Sequence, residues 1–189
     1  MDRRFDRITT ALLKKLLPFL IVALLALGGG FALQRYLTGR EAVEAPSLAP
    51  ELSMATLDGG TASLSALRGK LVLVNFWATW CAPCLQEIPL LVQMQDRYGA
   101  RGLQILGPAM DDPEQVRAML PRLKIQYPIL IGETQIPNAM DALGDTMGAL
   151  PFSVLISADG YVVDRKHGEF EAEELIQLIE KHLPTQDAL

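Results

Sequence analysis

Cysteine is scarce in this chain: its 189 residues include two, Cys81 and Cys84. Histidine is no commoner, with His167 and His182 alone. A protein zinc site takes about four ligands, mostly thiolate and imidazole. These four side chains hold no zinc-like spacing, so no metal centre and no cofactor are expected. A structural disulfide between Cys81 and Cys84 would close so small a loop that it would constrain the unfolded chain very little. Like charges form no run, no internal repeat is visible, and the net charge is a modest −5. That balance argues against nucleic acid as a partner. Dithiol redox chemistry is what remains, with a copper-binding dithiol as the competing reading.

The setting of the two cysteines supports redox use. Trp80-Cys81-Ala82-Pro83-Cys84 directly follows the apolar run Leu71-Val72-Leu73-Val74-Asn75-Phe76-Trp77. A C-x-x-C pair where a strand gives way to a helix reads as a thioredoxin-like redox motif. At the start of a helix Cys81 would sit in the positive end of the macrodipole, which favours its thiolate. Cys84, one turn inside, would be less exposed and within reach of Cys81.

The N-terminus carries an appendage. Arg3, Arg4, Arg7, Lys14 and Lys15 form a basic flank. Leu16 to Gln34 then runs for 19 residues without a charge. At about 1.5 Å per residue this stretch spans a bilayer core. Pro18 and Gly28-Gly29-Gly30 weaken a helix, but membrane helices tolerate both residue types. The basic side should stay in the cytoplasm, so the remainder is exported. No clear small-residue cleavage site follows, which favours an uncleaved signal anchor over a signal peptide. Residues 1–37 are therefore read as flank and anchor, 38–50 as an extended linker rich in Ala, Pro and Glu, and 51–189 as the exported domain. Disulfides are made and exchanged in that compartment.

Within the domain, Leu52–Leu57, a turn at Asp58-Gly59-Gly60 and Thr61–Leu64 predict a β-hairpin. Leu71–Phe76 predicts a strand buried on both faces. Pro83–Arg97 predicts a helix with Leu85, Ile88 and Val92 inward, kinked at Pro89. Leu103–Leu106 is a second apolar strand, with Pro108 expected at its C-terminal end because proline is poorly placed inside a sheet. Asp112-Pro113-Glu114-Gln115 opens a helix to about Lys124, with Pro121 disturbing its last turn. Tyr127–Ile131 is a short extended piece and Asn138–Leu143 a brief helix. Phe152–Ile156 and Tyr161–Arg165 flank the hairpin signal Ala158-Asp159-Gly160. Glu171–Leu183 is an amphipathic helix with Leu175, Ile176, Leu178 and Ile179 inward. The fold class is α/β: a thioredoxin layout with an N-terminal β-hairpin extension and an inserted helix, preceded by one transmembrane helix.

From Leu71 through Cys84, with Gly69-Lys70 before and Glu87-Ile88-Pro89 after, the chain resembles the TlpA/ResA-like branch of the thioredoxin superfamily: membrane-anchored, periplasm-facing thiol-disulfide oxidoreductases. The resemblance covers about Ala49 to Leu183, including the inserted helix. It implies that Cys81 is the nucleophile and Cys84 the resolving thiol. It makes Leu150-Pro151 the cis-proline site opposite the dithiol, with Pro151 in the catalytic set. Trp80, Leu150 and Pro151 then meet the substrate. The family often has Gly-x-Pro where this chain has Ala149-Leu150-Pro151. Glu87 matches a family glutamate near the active site, positioned to take the proton of Cys84; a solvated helix glutamate is the alternative. Asn75 stands where many cytosolic thioredoxins carry a buried Asp, which passes any acid-base role to Glu87 or water. Trp77 and Trp80 are expected to pack over the sulfurs.

These readings converge on an inner-membrane, single-pass protein whose C-terminal domain reduces disulfides of exported proteins in the periplasm. Apocytochrome c or copper-site cysteines are substrates the resemblance suggests, with a membrane electron donor as partner. Three rivals are a redox-inert binding module, which would not need Cys84, a copper-delivery protein, for which His167 is the one plausible exported third ligand near the active-site sheet, and a peroxiredoxin-like peroxidase. The last would need a lone cysteine preceded by Pro-x-x-x-Thr. Here Thr79 is two residues before Cys81, with no such proline.

Overall fold

The computed structural model describes residues 47–183. The expected anchor at Leu16–Gln34 lies outside them, as does most of the linker. Among the described residues no helix is long and apolar enough to cross a membrane.

The described residues build a seven-stranded mixed sheet with four helices. In order these are β1 (Ser53–Thr56), β2 (Thr61–Ser63), β3 (Leu71–Phe76), α1 (Ala82–Tyr98), β4 (Leu103–Pro108), α2 (Pro113–Leu123), β5 (Ile129–Ile131), α3 (Gln135–Ala142), β6 (Phe152–Ile156), β7 (Val162–His167) and α4 (Ala172–His182). The strand order is β2-β1-β5-β4-β3-β6-β7. β3, β4 and β5 run parallel, and β6 runs antiparallel to β3. The extended piece before Gly132 is thus a full sheet member: β5 joins the N-terminal hairpin to β4, pairing antiparallel with β1.

Every residue of β3 is buried, because the sheet is covered on both faces. Leu71, Leu73, Ile105 and Leu155 face a core shared with α1, α2 and α4. Val72, Val74, Phe76 and Phe152 face the other side, against Ile136, Met140 and Leu143 of α3 and its end. This alternation is the two-residue period of a strand filling two cores.

Two expectations about helices need correction. The buried stripe of α1 is Cys84, Glu87, Ile88, Leu91, Met94 and Tyr98, whereas Leu85 and Val92 are only partly buried. In α4 the fully buried pair is Leu175 and Ile179, with Ile176 and Leu178 at its margins. Pro89 and Pro121 both lie inside helices that continue past them. Pro108 closes β4, as expected. Asp112 caps α2, accepting from the N–H groups of Glu114 at 2.8 Å and Gln115 at 3.4 Å.

The first described residues are held by the β6–β7 turn. Leu48 bridges Tyr161, the Ala49 N–H donates to the Gly160 carbonyl at 2.9 Å, and the Val162 N–H donates to Ser47 O at 2.9 Å. The same turn is fastened to the approach to β3 through Gly69 N–H to Ala158 O at 3.0 Å.

Candidate active site

Three things meet at the C-terminal end of β3: the start of α1, the β4–α2 loop and the start of β6. The general rule for α/β sheets places ligand chemistry at the carboxyl ends of the parallel strands. Cys81 is the N-cap of α1, in extended conformation, and Pro83 occupies the first turn. Cys84 is in that same turn, and its N–H donates to Cys81 Sγ at 3.3 Å. The two sulfurs are joined, 1.99 Å apart, with the Cα atoms 5.3 Å apart. Both cysteines are buried, Cys84 (1% exposed) more deeply than Cys81 (5%).

Glu87 follows Cys84 by three residues and faces the same way on the helix. It is 2% exposed, which rules out the solvated-surface alternative. Its carboxylate accepts from Asn75 Nδ2 at 2.9 Å and from the Phe170 N–H at 2.8 Å. Asn75 also donates to Ser153 Oγ at 2.9 Å. Burial pushes the Glu87 pKa above the ordinary carboxylate range, against the pull of the Phe170 and Asn75 donors. Tyr127 is buried in the same core as the cysteines. Its hydroxyl is the one buried side-chain polar atom without a hydrogen-bond partner among the described residues. Burial first, then the charge of Glu87, raises its pKa.

The Leu150-Pro151 bond is cis. Leu150 is half-buried against both cores and lies outside the β6 ladder, which begins at Phe152 opposite Phe76 and His167. This end of β6 therefore lies at the same end of the sheet as α1's N-terminus. Trp77 is fully buried and donates from Nε1 to Gly107 O at 3.3 Å. Trp80 is 68% exposed, so it does not pack over the sulfurs as expected. Its flat apolar face is open to solvent one residue before Cys81, consistent with a place in a substrate contact.

His167 gathers no metal-like ligand set; among the described residues no group of three such side chains forms. It stacks on Phe152 with centroids 4.7 Å apart and pairs with Asp145 through Nε2 at 2.9 Å. Asp145 also accepts from the N–H groups of Met147 and Gly148 at 2.9 and 3.1 Å, holding the loop that runs into Leu150-Pro151.

Three site features escaped the sequence reading. Ser153 is a polar residue inside an apolar strand, and that anomaly was the available signal for the buried network that joins it to Asn75. The Asp111 carboxylate accepts from Thr79 Oγ1 and from the Thr79 N–H, the latter at 3.2 Å. In sequence Asp111 is masked by its neighbour Asp112, the helix cap. The Asp145–His167 pair had no sequence signal.

A thioredoxin-type sheet that presents one cysteine pair at a helix N-terminus, backed by a buried carboxylate, defines the protein as a thiol-disulfide oxidoreductase. Comparison with known proteins agrees and is more specific. Residues 46–165 match the AhpC/TSA family model. The chain is 32% identical over 176 residues to thiol-disulfide oxidoreductase ResA of Bacillus cereus, covering 90% of this chain and 99% of that protein. It is 30% identical over 174 residues to the thioredoxin-like protein YneN of Bacillus subtilis, covering 89% and 99%. A crystal structure of a thiol:disulfide interchange protein from Chlorobium tepidum superposes with TM-score 0.67 at 31% identity, covering 76% of this chain and 100% of that one. The chain belongs to the AhpC/TSA family, as a homologue of the ResA thiol-disulfide oxidoreductases.

Proposed function

We propose that this protein is a membrane-tethered reductant of disulfides in exported proteins, working through Cys81 and Cys84 on the periplasmic side. The observation that carries the reading is the asymmetry of the pair. Cys81 is the less deeply buried cysteine, sits at the positive end of α1 and accepts the Cys84 N–H. Cys84 lies behind it, with the buried carboxylate of Glu87 one turn further on.

In the reducing direction the Cys81 thiolate attacks one sulfur of the substrate disulfide and expels the other as a thiolate. A Cys81–substrate mixed disulfide results. Cys84 then loses its proton to Glu87, whose pKa is raised by burial, making it a stronger base than an ordinary carboxylate. The Cys84 thiolate attacks Cys81 Sγ and releases the substrate's second thiolate. The protein is left as the Cys81–Cys84 disulfide, and two electrons have moved to the substrate. Leu150, outside the ladder and beside Pro151, supplies backbone for an extended substrate segment, and Trp80 supplies an apolar contact. The periplasm is kept oxidising, so the dithiol must be regenerated by a membrane electron donor, which the anchor at Leu16–Gln34 would keep within reach. Apocytochrome c and copper-site cysteines are the substrates to examine first, on the family resemblance.

The test is the redox state in growing cells, together with trapping. Acid-quenched cells treated with a thiol-alkylating mass tag should show the pair mostly reduced. The Cys84→Ser chain should accumulate mixed disulfides with exported proteins through Cys81, and Cys81→Ser should abolish exchange. A pair found mainly as the disulfide, or Cys84→Ser turning over like wild type, would overturn the reading.

A further inference from the structure

We propose that Asp111 is a positioning residue whose carboxylate, fastened to the turn that delivers Cys81, opposes the Cys81 thiolate and keeps the pair reducing. The inference rests on the assignment of Cys81 as the attacking sulfur.

The geometry is a clamp across two loops. Ala78 to Cys81 is a tight turn, closed by the Cys81 N–H donating to Ala78 O at 3.2 Å. The β4–α2 loop lies against it. Trp77 bridges Ala109, and the Met110 N–H donates to Trp77 O at 2.8 Å. Asp111 completes the contact. One carboxylate oxygen accepts both Thr79 donors, and the other accepts the Asp112 N–H at 2.8 Å. Three donors on one carboxylate stabilise its ionised form. Although burial acts the other way, these bonds hold the Asp111 pKa below the ordinary aspartate value. Asp111 is thus anionic throughout the neutral range.

The carboxylate lies 3.2 Å from the Thr79 N–H, two residues before Cys81. Two residues span at most about 7 Å even when fully extended, so with the Cys81 side chain added the carboxylate is within about 12 Å of Sγ, and the turn shortens that path. Two fields therefore meet at Cys81. The N-terminus of α1 favours the thiolate, and Asp111 disfavours it. The other carboxylates at this end are Glu87, buried beneath Cys84, and Asp112, which caps α2. Glu87 is in turn influenced by Glu169 and Lys166, and the remaining ionisable pair is His167–Asp145, beside Phe152. An anion beside Cys81 raises the free energy of the thiolate, makes the dithiol a better electron donor and lowers the pair's potential. The opposite arrangement, a stabilised reduced form, makes a strong oxidant.

Asp111→Asn keeps an oxygen acceptor for Thr79 and removes the charge. Asp111→Ser removes the charge with a different acceptor, in case the amide packs poorly. Thr79→Val keeps the charge and removes one donor. Two readouts suffice in the full chain: the pH dependence of Cys81 alkylation by iodoacetamide in a Cys84→Ala background, and the equilibrium of the intact pair with glutathione. Loss of one charge at this range should shift the thiolate equilibrium about three- to tenfold. Both neutral variants should move the alkylation midpoint to lower pH and shift the glutathione equilibrium toward the dithiol by that factor, while Thr79→Val does neither. An unchanged midpoint in both neutral variants, or equal shifts in Asp111→Asn and Thr79→Val, would overturn the proposal. A separate outcome addresses the assignment beneath it: if Cys84 in a Cys81→Ser chain alkylates as fast as Cys81, the attacker has been misassigned, whatever Asp111 does.

Discussion

Replacing Glu87 with Gln isolates the proton step from the thiol chemistry. The carboxylate accepts two N–H groups, from Asn75 and Phe170, at 2.9 and 2.8 Å. Gln offers one acceptor oxygen and one NH₂ group, so one of those donors comes to face another donor. A buried unsatisfied polar group costs about 1–3 kcal/mol, which a domain of this size should survive folded. The catalytic loss is separate. Removing a general base typically costs on the order of 10²-fold, and here it should fall on the resolving step, where Cys84 must lose its proton. Formation of the mixed disulfide by Cys81 should be largely spared. Wild-type resolution should speed up as pH rises through the raised pKa of Glu87, and the variant should lack that rise. Stability carries the matching signature. A carboxyl whose folded pKa is raised binds more protons folded than unfolded, so wild-type stability falls as pH climbs from the ordinary glutamate range to the raised value. Glu87→Gln should lose that slope. Stopped-flow reduction of a model peptide disulfide, alongside urea unfolding at several pH values, measures both. A variant with the wild-type pH profile in the resolving step would refute the assignment of Glu87 as proton acceptor.

Tyr127→Phe should be neutral or stabilising by about 1 kcal/mol, because it removes a buried hydroxyl that has no partner; the urea midpoint reports it, and a clear loss of stability would mean the hydroxyl is satisfied. Asp145→Ala should cost about 2 kcal/mol through the lost bonds to His167, Met147 and Gly148. Burial raises the Asp145 pKa, but those bonds outweigh it and hold it below the ordinary value. The wild-type advantage should therefore be present above the unfolded aspartate pKa and fade as pH falls through the lowered one, which acid unfolding of both proteins would show. The full chain should stay in the membrane pellet after a high-pH wash, with its N-terminal residues intact; a mature N-terminus near Arg40 would show cleavage instead.

What could be read from the sequence was what local chemistry controls. The run Leu71–Phe76, the Asp112 cap and the Asp58-Gly59-Gly60 and Ala158-Asp159-Gly160 turns each specify their own geometry within a few residues, and the dithiol's place at a helix start follows from them. The chain's own pattern did not place β5 between β1 and β4, since three apolar residues carry no register. It misjudged Trp80, because an aromatic beside cysteines looks the same whether it covers them or faces outward. The buried state of Glu87 depends on Asn75, 12 residues away, and on Phe170, 83 residues away. Asp111 meets Thr79 across 32 residues. Such pairs exist only after the sheet has brought its C-terminal ends together, so no periodicity announces them.

The binding of Ser47–Ala49 to the β6–β7 turn has a mechanical consequence. That turn adjoins the beginning of β3, whereas Cys81 follows its end. The point of attachment and the point of reaction are thus separated by the length of the central strand, six residues or on the order of 20 Å at about 3.3 Å per residue. Any restraint acting through the chain before residue 47 takes hold at the end away from the sulfurs. The sulfurs thus lie at the end of the domain that such a restraint leaves free.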